Sequence, residues 1–107
     1  MDCKRGDIVT INLNPKKGYE IDKIRLAVII SNDDENKILD TVIVMPLSTS
    51  LLDDMEPFRI RIKTKEDSDV LINHVRAISK VRIGKKIASL KEQEYKKIVQ
   101  NLCKNFI

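Results

Sequence analysis

The chain of 107 residues carries 20 lysines and arginines against 16 aspartates and glutamates, a net charge of +4 at pH 7. That length suits one domain and excludes two separate cores, while a hydrophobic fraction of 42% argues against a disordered chain. The pI near 9.1 favours an anionic partner such as nucleic acid, although a lysine-rich composition alone would account for it equally well.

The sequence contains no stretch typical of a membrane span or a secretion signal. No run approaches the roughly 20 apolar residues that a span requires, and the first residues, MDCKRGD, include no apolar segment. We therefore expect a cytoplasmic protein in which Cys3 and Cys103 are reduced, packed thiols. Because no CxxC or clustered His/Cys spacing occurs, neither a metal site nor a cofactor is expected.

The first half of the chain predicts three strands. Residues 7–13, DIVTINL, are rich in β-branched side chains, and residues 25–31 form an apolar run typical of a strand buried on both faces. Residues 41–47, TVIVMPL, predict a third strand, which Pro46 should restrict to a strand end or a sheet edge. The polar segments between these strands, 14–18 and 31–34, are predicted loops.

The second half predicts further strands and one helix. Phe58, Ile60 and Ile62 alternate with basic residues, the period of a half-buried strand. Two more strands are expected, one beginning at 70–72 and one over 75–83. Near the end of the chain, apolar residues recur at the spacing of an amphipathic helix, namely Tyr95, Ile98, Val99, Leu102, Cys103, Phe106 and Ile107.

Ser89 and Glu92 suggest a capping box, so this helix should begin near Leu90. The whole pattern predicts a single domain over residues 1–107 that is mainly β with a C-terminal helix. We expect a small curved sheet or partial barrel sealed by that helix.

Few residues could carry catalysis by their type alone. The one histidine, His74, has a pKa suited to proton transfer near neutrality, although a single histidine in a small domain is more often structural. Arginines and hydroxyls lie near predicted strand ends, namely Arg25, Ser48, Thr49, Arg76 and Lys80. Such a set could cleave RNA without a metal, which is one alternative among several, since Arg25 could equally form a surface ion pair with Glu20 or Asp22.

Several stretches in a fixed order carry a family resemblance: KRGDIV at 4–9, NP..G.E at 14–20, IRLAVIISND at 24–33, TVIVMPLS at 41–48 and VRAISKVRI at 75–83. Together they resemble the MazF/PemK/Kid-type toxin endoribonucleases of toxin–antitoxin systems. The resemblance implies a small SH3-like β-barrel of the CcdB/PemK kind that forms a homodimer. It also implies metal-independent cleavage of single-stranded RNA to 2′,3′-cyclic phosphate and 5′-hydroxyl ends, and a MazE-like antitoxin as partner.

The resemblance also assigns roles to residues. Arg25 matches the catalytic arginine that contacts the scissile phosphate, and Ser48 matches a hydroxyl that bonds the same phosphate. Glu20 matches an acid near the RNA path, and His74 lies where many members have a glutamine that contacts a base, so either could also tune proton transfer. The residues expected to bind RNA are Lys17, Tyr19, Thr49, Asn73, His74, Arg76 and Lys80.

The chain departs from the family pattern at a few positions. Leu26 replaces the proline that commonly follows the arginine, and Asn73 replaces an acidic residue. Two other functions are therefore alternatives: a non-catalytic, CcdB-like toxin that binds gyrase, and a catalytically weakened RNA-binding module. Arg25 together with Ser48 favours the nuclease, because binding gyrase does not require a phosphate-directed pair.

Overall fold

A computed structural model describes residues 2–13 and 24–107. Seven strands and two helices occur in this part of the chain. In order they are β1 (Asp7–Asn12), β2 (Ile24–Ile29), α1 (Asp33–Ile38), β3 (Thr41–Ser48), β4 (Arg59–Lys63), β5 (Asp67–Leu71), β6 (Arg76–Ser79), β7 (Ile83–Ser89) and α2 (Glu92–Lys104). Two single-turn 3₁₀ helices, Ile72–His74 and Lys80–Arg82, flank β6.

The strands form one antiparallel sheet in the order β4-β5-β3-β2-β1-β7, and β6 pairs separately with β3. The prediction of a mainly β domain with a C-terminal helix is therefore confirmed. Among the described strands the sheet is open, in agreement with the expected curved sheet or partial barrel and short of a complete SH3-like barrel, since β4 and β7 end the path without pairing. The reason is that β6 pairs with the first half of β3 and β5 pairs with its second half, so the sheet divides at β3.

Apolar residues are buried on both faces of this sheet. On one face Val28, Met45 and Leu47 belong to a cluster that includes Ile98 of α2. On the other face the alternate residues of the same strands form a second cluster, which includes Val9, Ile11, Ala27, Ile29, Val42, Val44 and Ile78. Because both faces are covered, β2 and β3 are almost continuously apolar, as the sequence predicted.

The prediction of a loop at residues 31–34 is wrong in part, because the short helix α1 begins within it. Asn32 caps this helix, since its side-chain oxygen accepts from the Glu35 N–H at 2.9 Å. Asn36, although polar, is buried where its amide donates to the Ser31 carbonyl oxygen at 2.9 Å. The segment therefore packs on the sheet despite its turn-like composition.

The prediction of the α2 start at Leu90 is also wrong, by two residues. Glu94 accepts the Lys91 N–H at 3.0 Å, and this bond closes the first turn. Ser89 instead donates its hydroxyl to Asp7 at 3.2 Å. Cys103 is exposed on this helix rather than packed, while Cys3 is buried, where desolvation raises the pKa of its thiol.

None of the helices in the described part of the chain has the length and apolar character needed to cross a membrane.

Candidate functional site

A cleft of about 420 Å³ opens where β2 begins and β3 ends. We call it the candidate cleft; its lining residues are Ile24, Arg25, Leu26, Leu47, Ser48, Thr49, Ser50, Glu66 and Ser68. Strand register explains why Arg25 and Ser48 meet there. Ala27 pairs with Pro46, so the same antiparallel register carried two residues further sets Arg25 opposite Ser48.

The Arg25 side chain is exposed in this cleft and forms no hydrogen bond or ion pair with any residue that the structure describes. Its neighbour Leu26 packs against the core below, which anchors the strand at this point. The ion-pair alternatives considered from sequence, Glu20 and Asp22, lie outside the described residues. The planar guanidinium group of Arg25 can therefore donate hydrogen bonds to a ligand on the described side of the cleft.

Ser48 is half-buried and forms a turn with Ser50. Its Oγ accepts the Ser50 N–H at 3.1 Å and lies 3.4 Å from the Ser50 carbonyl oxygen. Through the first of these bonds Ser48 caps the turn at the end of β3. The second is long for an O–H donor, so the hydroxyl proton can move to a better acceptor in the cleft.

Two of the predicted RNA-binding residues lie on the short 3₁₀ helix that follows β5. His74 and Asn73 are both exposed there, and neither lines the candidate cleft. Arg76, exposed at the start of β6, pairs with Val44 of β3 and also lies outside it. The structure therefore brings Thr49 to Arg25 and Ser48, but not these three residues.

Lys80 lies in a different cleft, of about 480 Å³, at the N-terminal segment and α1, lined by Asp2, Cys3, Lys4, Asp33, Asn36, Lys37 and Lys80. Three predicted site residues, Lys17, Tyr19 and Glu20, lie outside the described residues. In the described ranges, 2–13 and 24–107, no group of three or more His, Cys, Asp or Glu side chains could hold a metal ion.

Two acidic residues near the cleft were missed by the sequence reasoning. Glu66, exposed in the β4–β5 turn, lines the candidate cleft and could accept a proton or a hydrogen bond there. Asp69 is buried on β5 directly across from Ser48. No local signal in the sequence identifies Asp69, since an acid at the start of an apolar run such as VLI normally faces solvent.

Asp69 is the most strongly bonded carboxylate in this region. Its oxygens accept Arg61 Nε at 2.7 Å, the Leu52 N–H at 2.9 Å and Arg59 Nη1 at 3.2 Å. Burial on its own would raise the pKa of Asp69, but the hydrogen bonds from Arg61, Leu52 and Arg59 outweigh it and hold the pKa below its usual value. Asp69 is thus ionised at neutral pH and anchors the segment between β3 and β4.

The candidate cleft therefore combines an open guanidinium, hydroxyls from one strand end and a carboxylate. A guanidinium can donate two parallel hydrogen bonds to phosphate oxygens, and a hydroxyl can donate a third. This chemistry suits a phosphodiester better than an apolar ligand.

Comparison with known proteins identifies a family that matches this chain. A family model described as PemK-like, MazF-like toxin of type II toxin-antitoxin system matches residues 4–106. A Staphylococcus saprophyticus protein named Endoribonuclease MazF is 32% identical over 100 residues, covering 89% of this chain and 83% of that protein. A Staphylococcus epidermidis protein of the same name is 32% identical over 96 residues, with coverages of 85% and 80%.

Solved structures show the same fold at lower identity. A MazE-MazF complex from Deinococcus radiodurans aligns with a TM-score of 0.84 at 17% identity, covering 99% of this chain and 97% of that one. An endoribonuclease in complex with its cognate antitoxin from a mycobacterial species aligns with a TM-score of 0.80 at 18% identity, with coverages of 97% and 94%. The two Staphylococcus relatives, each 32% identical and named as endoribonucleases, favour the nuclease over the gyrase-binding alternative.

Proposed function

The chain belongs to the PemK-like, MazF-like toxins of type II toxin–antitoxin systems, and from that premise we propose that it is an endoribonuclease acting at the candidate cleft. Its substrate is single-stranded RNA, mRNA in the cell, and it needs no metal ion. The observation that carries this proposal is Arg25, unpaired among the described residues and sharing a cleft with Ser48. Cleavage of mRNA in the cytoplasm would stop translation and growth.

The reaction is a transfer within the RNA. The 2′-oxygen attacks the adjacent phosphorus as its proton leaves to a base, a bond from phosphorus to the 2′-oxygen forms, and the bond to the 5′-oxygen breaks. The departing 5′-oxygen takes up a proton, so the products carry a 2′,3′-cyclic phosphate and a 5′-hydroxyl. Arg25 holds two phosphoryl oxygens while charge grows on them, and Ser48 donates to one of them.

Proton transfer is assigned to carboxylates rather than to His74. Glu20 is the acid implied by the family resemblance, and Glu66 lines the candidate cleft. His74 does not line that cleft, which supports contact with an RNA base over proton transfer. Asn73, Arg76 and Lys80, with Lys17 and Tyr19, would bind the RNA on either side of the cut.

Two protein partners follow from the family. The solved relatives include complexes with a cognate antitoxin, and we expect a MazE-like antitoxin whose acidic segment binds this basic chain and covers the cleft. We also expect a homodimer, in which basic residues of both copies line one RNA groove.

The test is cleavage of a long single-stranded RNA in EDTA, with the ends mapped by primer extension. We expect wild type to cut at defined positions and leave 5′-hydroxyl ends. Arg25→Ala should lose about 10²–10³ in rate, the usual effect of removing one transition-state donor. Lys104→Ala, which removes one positive charge at the end of α2, is the control for net charge and should cut like wild type.

Intact RNA with wild type, or equal cutting by Arg25→Ala, would refute the proposal or its assignment of Arg25. His74→Gln separates the two roles of the histidine. Altered cut sites at an unchanged rate would mean base reading, whereas a large rate loss with a shifted pH profile would mean acid–base catalysis.

A further inference from the structure

The segment that joins β3 to β4, residues 49–58, forms one wall of the candidate cleft through Thr49 and Ser50. Asp69 fastens this segment to the sheet, since its carboxylate accepts the Leu52 N–H at 2.9 Å. The Asp69 side chain is only 1% exposed, so the charge stays in one position relative to the strands. The wall of the cleft is therefore tied to a fixed point on β5.

Arg59 connects that fixed point to the turn at the cleft. Its Nη1 lies 3.2 Å from Asp69 Oδ2 and 3.0 Å from the Ser50 carbonyl oxygen. The Arg59 side chain is 21% exposed, and its planar head has little freedom while both bonds are made. Asp69 thus sets the direction of Arg59, and Arg59 sets the position of the Ser50 carbonyl.

The Ser50 carbonyl also accepts a long hydrogen bond from the Ser48 hydroxyl. Arg59 approaches it at 3.0 Å with a full charge, whereas Ser48 Oγ approaches it at 3.4 Å. The charge-assisted bond is the stronger of the two, so the carbonyl holds the Ser48 proton only weakly. Meanwhile Ser48 Oγ accepts the Ser50 N–H at 3.1 Å, which polarises its O–H as a donor.

We propose that Arg59, held by Asp69, is a positioning residue for RNA cleavage: it occupies the Ser50 carbonyl and leaves the Ser48 hydroxyl free to donate to the scissile phosphate. Arg59 does not line the candidate cleft and touches no reacting atom. It acts through Ser50 on Ser48. This inference rests on the nuclease activity proposed above.

The neighbouring Arg61 offers a matched comparison. It lies on the same strand and binds the same carboxylate, with Nε 2.7 Å from Asp69 Oδ1, and its Nη2 lies 2.9 Å from Asp53 Oδ1. Its bonds go to these two acids and not to Ser50. If the network only stabilised the fold, replacing Arg61 would lower activity at least as much as replacing Arg59, because the bonds of Arg61 to acids are shorter and more numerous.

The experiment compares Arg59→Met with Arg61→Met, each alone and Arg59→Met also combined with Ser48→Ala. The substrate is a short RNA that carries the cut site mapped in EDTA, and kcat, KM and the melting temperature are measured on the same samples. Arg59→Met should lower kcat roughly tenfold and leave KM within about twofold. Arg61→Met should keep kcat within about twofold of wild type while losing as much melting temperature or more.

The Ser48→Ala background decides whether Arg59 acts through the serine. There Arg59→Met should change kcat by less than about twofold, because the hydroxyl that it positions is absent. Equal kcat losses in the two arginine variants, or an undiminished Arg59→Met loss without Ser48, would overturn the inference and leave the nuclease assignment intact. An Arg59→Met chain that fails to fold would also overturn it, since the arginine would then serve the fold. Wild type that cleaves no RNA is a separate outcome, which refutes the proposed function and with it this inference.

Discussion

Arg25 and Asp69 are both charged residues of the central sheet, yet their surroundings are opposite. Arg25 is exposed and meets no described partner, whereas Asp69 is buried with three donors around it. A free guanidinium keeps its hydrogen-bonding capacity for a ligand, while a carboxylate whose side chain is 1% exposed and already accepts three hydrogen bonds is closed to one. Function at this site is therefore expected from Arg25, and positioning from Asp69.

Asp69 should make the protein more sensitive to acid. Its folded pKa lies below the ordinary value of about 3.9, so its bonds stabilise the fold above that pH and are lost as the pH falls through the folded pKa. Asp69→Asn should cost about 2 kcal/mol near neutral pH and progressively less as the pH falls below the ordinary carboxyl pKa. Urea unfolding of both proteins across this range measures the difference. A cost that does not shrink on acidification would show that the carboxylate charge is not what stabilises the fold.

Residue types predicted the candidate cleft only in part. Arg25 and Ser48 could be paired because a family resemblance marks both, and register explains their proximity. Asp69 could not be placed, because an acid beside an apolar run normally faces solvent. Its burial depends on two arginines that approach from another strand, which no local pattern reveals.

At the scale of elements, β3 determines the layout of the site. Pro46 was expected at a strand end or sheet edge, but it lies inside β3 and pairs with Ala27. The opposite edge of β3 explains this, since the ladder to β6 ends at Val44 and the ladder to β5 begins at Leu47. The missing N–H of Pro46 falls at this change of partner, where no ladder bond is lost.

Strands β1 to β4 were predictable because their apolar residues repeat regularly, whereas the capping contacts were not. The single strand predicted over 75–83 was wrong, since β6 ends at Ser79, a 3₁₀ helix follows, and β7 begins at Ile83. The KRGD stretch, which contributed to the family resemblance, turns out to hold elements together. Gly6, at a φ of 86°, donates its N–H to Ile29 at 2.7 Å and accepts from Leu90 at 2.8 Å, while Arg5 places Nη2 3.0 Å from a Glu92 oxygen. The sequence of the KRGD stretch alone does not show that it joins β1 to α2.

The β1–β7 pair depends on a close approach at Gly84. A Cβ at this position would lie 2.4 Å from Thr10 Oγ1, the atom that accepts the Lys85 N–H at 2.8 Å. Gly84→Ala should therefore cost roughly 1–3 kcal/mol of unfolding free energy, measured in urea. In a Thr10→Ala background the added methyl no longer meets the hydroxyl, so the cost should fall by more than half. Equal costs in both backgrounds would argue against this contact.

At the scale of the whole molecule, α2 covers the apolar cluster on one of the two faces of the sheet. Ile98 is 0% exposed and belongs to the cluster that contains Val28, Met45 and Leu47, the residues behind the strands of the candidate cleft. The amphipathic spacing predicted this contact correctly. It could not predict that the helix ends at Lys104, which leaves Phe106 and Ile107 in solvent.

Ile98→Ala should cost about 3 kcal/mol of unfolding free energy, because it leaves a cavity under the sheet. The matched control is a chain ending at Asn105, which removes Phe106 and the 101% exposed Ile107 and should unfold within about 0.5 kcal/mol of wild type. Urea unfolding at one temperature measures both. Comparable losses in the two variants would mean that the end of the chain packs against the domain after all.

The ladder between β1 and β2 runs as far as the pair Asn12 and Ile24, so the intervening chain leaves and re-enters the sheet at adjacent points. Arg25 is the next residue on that ladder and Ser48 belongs to another strand, so neither relies on the excursion for its position. Apart from Glu20, with its proposed role in proton transfer, residues 14–23 could therefore vary in length and sequence without moving Arg25 or Ser48. Contacts that recognise the RNA sequence could change there, while Arg25 and Ser48, the pair proposed to bind the phosphate, keep their positions.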